Sequence, residues 1–158
     1  MGHELITTWG DYQAAIDRVL SLATQRLWIY DPDLAQLKLE QPARLESLRR
    51  LLQNGEADCL RIVLRNARAF RDRSPLLNDL LRQYSHCMAV NESAENLAHL
   101  RDCMILADDR HGLIRFDQDQ ARSKVLTDDV HELAPYFNRF ENLWHEGGTS
   151  VSATALGL

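Results

Sequence analysis

Three short apolar runs constrain this chain more than any other feature: LWIY at residues 27–30, LRIVL at 60–64 and HCMAV at 86–90. Each is four or five residues long and apolar at nearly every position, the pattern of a strand buried on both faces. Asp31-Pro32-Asp33 closes the first as a turn. Between the runs, leucines recur at helical spacing. Leu45, Leu48, Leu51 and Leu52 form one stripe, closed at Asn54-Gly55 by residues that tolerate positive φ. Leu76, Leu77, Leu80, Leu81 and Tyr84 form another, with Pro75 suited to its first turn. An earlier stripe of Trp9, Tyr12, Ile16, Val19, Leu20 and Ala23 predicts an amphipathic helix over 9–24. Strands alternating with helices predict parallel pairing through right-handed crossovers.

The second half changes character. CMILAD at 103–108, followed by DRHG and LIRF, reads as a hairpin, which makes the sheet mixed. Residues 91–98 are polar and predict a loop or a single helical turn, and 122–127 predict a short strand. Val130, Leu133, Phe137, Phe140 and Trp144 step by three and four, so one side of a long last helix carries large apolar groups. Gly147-Gly148 ends it, and residues 149–158 either add an edge strand or stay loose. With no internal repeat and no low-complexity linker, the expectation is one α/β domain over 1–158. Its sheet is mixed and mainly parallel, with helices on both faces.

Size and charge narrow the function classes. A chain of 158 residues fits one domain and can bury about two thirds of its unfolded surface. A net charge of -5 argues against general binding to nucleic acid or anionic membranes, although a local basic patch remains open. No apolar run approaches the roughly 20 residues of a membrane helix. The opening MGHELITTWGDY lacks the basic-then-apolar order of a signal peptide. Three cysteines (Cys59, Cys87 and Cys103), odd in number and without metal-site spacing, fit a reducing cytoplasmic compartment.

Several constellations could carry chemistry. Asp31 and Asp33 follow the first strand, and Asp108 and Asp109 follow a later one with His111 near. The carboxylates could hold Mg²⁺, but Asp31-Pro32-Asp33 as a turn and helix cap, and 108–112 as a hairpin turn, account for them by local chemistry alone. His86-Cys87 are adjacent and point opposite ways on a strand, and no Cys-x-x-Cys exists, so zinc is not expected. There is no Gly-rich phosphate loop and no Gly-x-Ser-x-Gly elbow; no cofactor is expected. Arginines are densest at Arg61, Arg65, Arg68, Arg71 and Arg73. Arg65 to Arg73 follow the second strand, where α/β sheets place ligands, and could meet a phosphate or an acidic partner; the alternative is a solvated loop. Strand alternation turns Arg61 with Val63 and Arg65 to one side, which takes it out of that set. Phe137, Phe140 and Trp144 read as core rather than as a binding face.

The order and spacing of LWIYDPDL, LRIVLRN, SPLLNDLLRQYSHCMAV, CMILADDRHGLIRF, FNRFENLWHEG and ATALGL resemble an uncharacterised bacterial family of phospholipase D-like single domains. The likeness runs from about Tyr12 to the end. It implies a phospholipase D-like α/β sandwich, and an acetyltransferase-like partner, since some members occur beside such domains. It does not imply activity, because the family generally lacks the catalytic signature His-x-Lys-x-x-x-x-Asp. In that chemistry a neutral His attacks phosphorus, the Lys holds phosphate oxygens, and a second copy of the motif supplies the leaving-group acid. A chain with one copy therefore needs a symmetric dimer.

Here His99 and Arg101 have the His-x-Lys spacing, with Arg offering a different fork to phosphate. Five residues after Arg101 stands Leu106 rather than an acid; the nearest acids are Asp102 and Asp108. The expected function is a non-catalytic phospholipase D-like binding or interaction module, a homodimer, with a phosphorylated ligand met by the candidate anion-binding residues His99, Arg101, Arg65 and Arg68. The alternative is a divergent phosphodiesterase, acting as a homodimer with His99 as nucleophile and Arg101 as phosphate clamp.

Overall fold

The computed structural model describes residues 2–54, 56–146 and 148–153. Its elements are β1 (Gly2–Ile6), α1 (Trp9–Leu22), β2 (Leu27–Asp31), α2 (Pro42–Asn54), β3 (Leu60–Leu64), α3 (Arg68–Arg73), α4 (Pro75–Gln83), β4 (Met88–Glu92), β5 (Cys103–Ala107), β6 (His111–Arg115), β7 (Ser123–Thr127), α5 (Val130–His145) and β8 (Thr149–Val151). A single 3₁₀ turn, Glu95–Leu97, lies in the stretch read as a loop or one helical turn. Gly55, Gly147 and the final residues of ATALGL, three features of the sequence reading, lie outside the described residues.

One sheet runs β1-β7-β6-β5-β2-β3-β4-β8. It is mixed, as expected, but the parallel share is smaller than the alternation suggested. Only β2–β3 and β3–β4 pair parallel; the other five pairings are antiparallel. The reason is topological. A parallel neighbour needs a crossover, and only α2 and the α3–α4 pair supply one between neighbouring strands. The meander β5-β6-β7 is antiparallel by its short turns, and β1 and β8 close the edges antiparallel.

Helices cover both faces, and strand alternation makes two cores. Leu27, Ile29, Leu60, Ile62, Ile105 and Leu113 face α1, α2 and α4. Trp28, Tyr30, Val63, Met104, Leu106 and Ile114 face the Leu133, Phe137, Phe140 and Leu143 stripe of α5. Central strands β2 and β5 are buried at every position, as their unbroken apolar runs require. α5 sits close because Gly112 has no side chain; a Cβ there would stand 2.6 Å from Leu133 Cδ2. Thr8 caps α1 through the Asp11 N–H, and Asp129 caps α5 through the Glu132 N–H. No helix among the described residues is long and apolar enough to cross a membrane.

Candidate functional site at the carboxyl ends of the parallel strands

Arg115 ends β6 with its side chain fully buried. It shares the α1 face with Leu113 and stands in register with Cys103 on β5 and Ser123 on β7. Its Nη2 donates to Asp31 Oδ1 at 3.0 Å and to Cys103 Sγ at 3.0 Å. The guanidinium lies over the rings of Tyr12, at 5.1 Å, and Trp9, at 5.6 Å. Nε and Nη1 are buried without an acceptor. Asp31 is equally buried and also accepts the Leu34 N–H at 2.7 Å and the Asp33 N–H at 3.2 Å, the local turn that closes β2. Burial pushes the Asp31 carboxyl up, against the pull of Arg115 and the two backbone donors. Burial likewise pushes the Cys103 thiol up to about 11, so it stands as a neutral thiol.

A second group lies at the same strand ends on the α5 side. Arg65, just past β3, donates from Nη1 to the Asp102 carbonyl at 3.1 Å and from Nη2 to Cys103 Sγ at 3.6 Å, and its guanidinium covers the Tyr30 ring at 4.8 Å. Arg139 of α5 donates to Asp102 Oδ1 at 2.6 Å. The Tyr30 hydroxyl, Arg65 Nε and Arg139 Nε are buried without partners. Burial raises the Tyr30 pKa, against the nearby charge of Arg65. Arg139 and Asp102 keep 37% and 25% of their side chains exposed, so solvent reaches this group while Arg115 is sealed.

The sequence candidates scatter around this centre. Arg65 belongs to it. His99 is exposed, its Nδ1 3.0 Å from the Asn96 carbonyl. Arg101 is exposed and bound by Asp117 at 2.8 Å and by Asp119. Arg68 opens α3, exposed, its backbone N–H on Asn66 Oδ1. Arg61 faces the α5 side, with Val63 and Arg65, as alternation requires. The two aspartate pairs do not meet. β2 and β5 are antiparallel, so Asp31 and Asp108 stand at opposite ends of the sheet. Asp108 accepts backbone N–H groups of Thr24, Gln25 and Arg26 and the Thr24 hydroxyl at 2.8–2.9 Å. It and Asp109 hold positive φ in the β5–β6 turn, so both pairs serve turns. Among the described residues no group of three His, Cys, Asp or Glu could hold a metal.

Arg115, Arg139, Tyr30 and Cys103 escaped the reading as site residues. The one available signal was LIRF: an arginine at an inward position of an apolar strand is either misplaced or paired. The arrangement can hold negative charge, since two half-buried arginines flank a buried hydroxyl.

A family described as "Domain of unknown function (DUF7931)" matches residues 9–156. No curated protein matches the chain. Among solved structures, the archaeal chromatin protein TrmBL2, whose structure is described as showing a novel mode of DNA binding, is similar at TM-score 0.69 and 12% identity, over 96% of this chain and 55% of its own. Nuc of Salmonella typhimurium, a phospholipase D family member, is similar at TM-score 0.60 and 10% identity, over 96% of this chain and 98% of its own. NucT of Helicobacter pylori is similar at 0.59 and 11%, over 95% and 99%. The fold is therefore phospholipase D-like.

Proposed function

The chain belongs to the DUF7931 family, and on that premise we propose that it is a phospholipase D-like module that binds a small phosphorylated ligand without turning it over. The observation that carries the reading is the half-buried pair Arg65 and Arg139, which meet Asp102 at the solvent-reached strand ends. Counted back from Asp108, the spacing His-x-Lys-x-x-x-x-Asp puts Cys103 at the lysine and Arg101 at the histidine. Arg101 is a permanently protonated guanidinium and cannot attack phosphorus. Cys103 is a buried neutral thiol and brings no charge to a phosphate. Counted instead from His99, the acid position is Leu106, buried in the α5-side core.

Arg65 and Arg139, both half-buried beside the buried Tyr30 ring, supply the phosphate contacts. Arg101 is neutralised by Asp117 and Asp119, and His99 is exposed, so neither is counted among the phosphate contacts. The alternative phosphodiesterase, dimeric with His99 as nucleophile, draws support from the near-complete overlap with Nuc. Two measurements separate the readings. A chromogenic phosphodiester is expected to show no turnover above background, and turnover that disappears in His99→Ala overturns the module. Inorganic phosphate and phosphoserine, titrated by NMR, are expected to bind saturably, with Arg65→Gln and Arg139→Gln each weakening binding about tenfold. Affinity unchanged in both variants overturns the assignment of the phosphate contacts. Light scattering on the same samples tests the expected homodimer.

A further inference from the structure

The Arg65–Arg139 pair already holds an acid of its own chain. Asp102 stands between the 3₁₀ turn and β5. Its backbone carbonyl accepts from Arg65 Nη1 at 3.1 Å, and its Oδ1 accepts from Arg139 Nη2 at 2.6 Å. The two contacts differ in kind. The carbonyl is fixed by the chain as it enters β5, where Cys103 and Met104 are buried. The carboxylate is placed by side-chain torsions alone. It is also open to water: 25% of the Asp102 side chain and 37% of the Arg139 side chain are exposed.

An ion pair this open to solvent is weakly held, because water screens it and competes for both partners. The carboxylate can therefore leave Arg139 without moving the backbone that Arg65 holds. A phosphate oxygen arriving at Arg139 makes the same charge-assisted bond, N⁺–H to anionic oxygen, that Asp102 makes in the free protein. It has to displace that carboxylate and then sit beside its negative charge, which opposes a second anion. The pattern recurs one residue earlier, where Arg101 is held by Asp117 and Asp119.

We propose, on the phosphate reading of this site, that Asp102 is an internal competitor for the ligand. In the free protein its carboxylate occupies Arg139; a bound phosphate takes its place, so Asp102 sets how tightly the site binds.

Inorganic phosphate, titrated into the full chain by NMR at constant ionic strength, tests this in the parent, Asp102→Asn, Asp102→Ser, and Asp102→Asn combined with Arg139→Gln. Both Asp102 variants remove the charge, and only Asn keeps the shape. Each is expected to bind phosphate about three- to tenfold tighter than the parent. The gain is expected to vanish when Arg139 is also Gln. An unchanged Trp28 indole signal verifies that α5 is still docked, since that ring stacks on Phe140 with centroids 5.0 Å apart. A parent that binds phosphate, with affinity no tighter in either Asp102 variant, overturns the role of Asp102 and leaves the phosphate site standing. A gain that survives Arg139→Gln also overturns it, because the effect is then charge at a distance and not release of Arg139. Undocking of α5 in both Asp102 variants makes the pair structural and overturns it too. A parent silent up to about 10 mM phosphate beside an Asp102→Asn that binds supports Asp102 as competitor while overturning the reading of the parent as a phosphate binder. Silence in every variant overturns both.

Discussion

At the scale of single residues, the molecule is most exposed to change where charge is buried. Arg115 and Asp31 are both sealed, and their 3.0 Å contact compensates two desolvated ions. Removing one partner leaves the other stranded, which costs about 3–5 kcal/mol, whereas replacing both by apolar groups of similar volume is often neutral. Asp31→Ala is therefore expected to lower unfolding free energy by about 3–5 kcal/mol in urea titrations. The double replacement Asp31→Leu with Arg115→Met is expected to recover most of that loss. A double variant as unstable as the single one would mean that the pair does more than compensate itself.

Asp108 gives a second residue-scale expectation, this time with pH. Burial alone would raise its carboxyl, but the Arg26, Gln25 and Thr24 donors outweigh burial and hold it below the ordinary range. A depressed folded value means that the contribution is complete above the unfolded pKa, near 3.9, and is lost as pH falls through the folded one. Asp108→Asn keeps a side chain that tolerates the positive φ of this turn. The variant is expected to be about 1–3 kcal/mol less stable than the parent at pH 7. The gap should hold down to about pH 5 and close below about pH 4, measured by denaturation at each pH.

The residue scale is also where the sequence was least legible. Residues 31, 103 and 115 meet only because β5 lies between β2 and β6, so no local pattern announces their contact. Arg139 lies outside the apolar stripe of α5, and only the packing of that helix on the sheet brings it to Asp102. The turn at Asp31, by contrast, was readable, because its carboxylate accepts from the sequence neighbours Asp33 and Leu34; the hairpin position of Asp108 was readable too, but the reach of its carboxylate to Thr24, Gln25 and Arg26 was not.

At the scale of elements, legibility followed burial. The strands with unbroken apolar runs and the helices with wide apolar stripes stood out, since their burial is written at helical or strand period. β1 did not. It is exposed at most positions and leaves one buried residue, Ile6, to betray it. α3 was read as a charged loop because Phe70 is its one buried residue. β8 was left open between edge strand and loose tail; its pairing with β4 is settled by tertiary contact rather than by composition.

α5 carries most of the cover on the Trp28 and Tyr30 side of the sheet, with Leu97 and Leu100 beside it. Phe140 is fully buried at its centre, stacked between Trp28 and Trp144. Phe140→Ala is expected to destabilise by about 3–5 kcal/mol. The measurement is the denaturation midpoint with its slope. A loss below about 1 kcal/mol would place α5 loosely on the sheet.

At the scale of the whole molecule, charge bears on the expectation, drawn from the sequence, that nucleic acid is not the ligand. Non-specific affinity for DNA comes from cations free to replace counterions along the phosphate backbone. This chain carries -5 overall, and four of its exposed arginines are engaged by acids: Arg18 by Glu4, Arg82 by Asp79, Arg101 by Asp117, and Arg110 by Asp128. Each would have to leave a carboxylate to meet a phosphate, and the carboxylates would remain to repel the duplex. A small phosphorylated molecule needs only the local Arg65–Arg139 pair, and the surrounding negative field matters less over one contact than over six or more. The expectation is that duplex DNA binds more weakly than about 10⁻⁴ M at physiological salt, as read by fluorescence anisotropy with a labelled duplex. A salt-sensitive affinity tighter than that, with log K falling steeply against log salt, would reveal a coherent basic surface that the ion pairs conceal, and would move the ligand from a small molecule to a polymer.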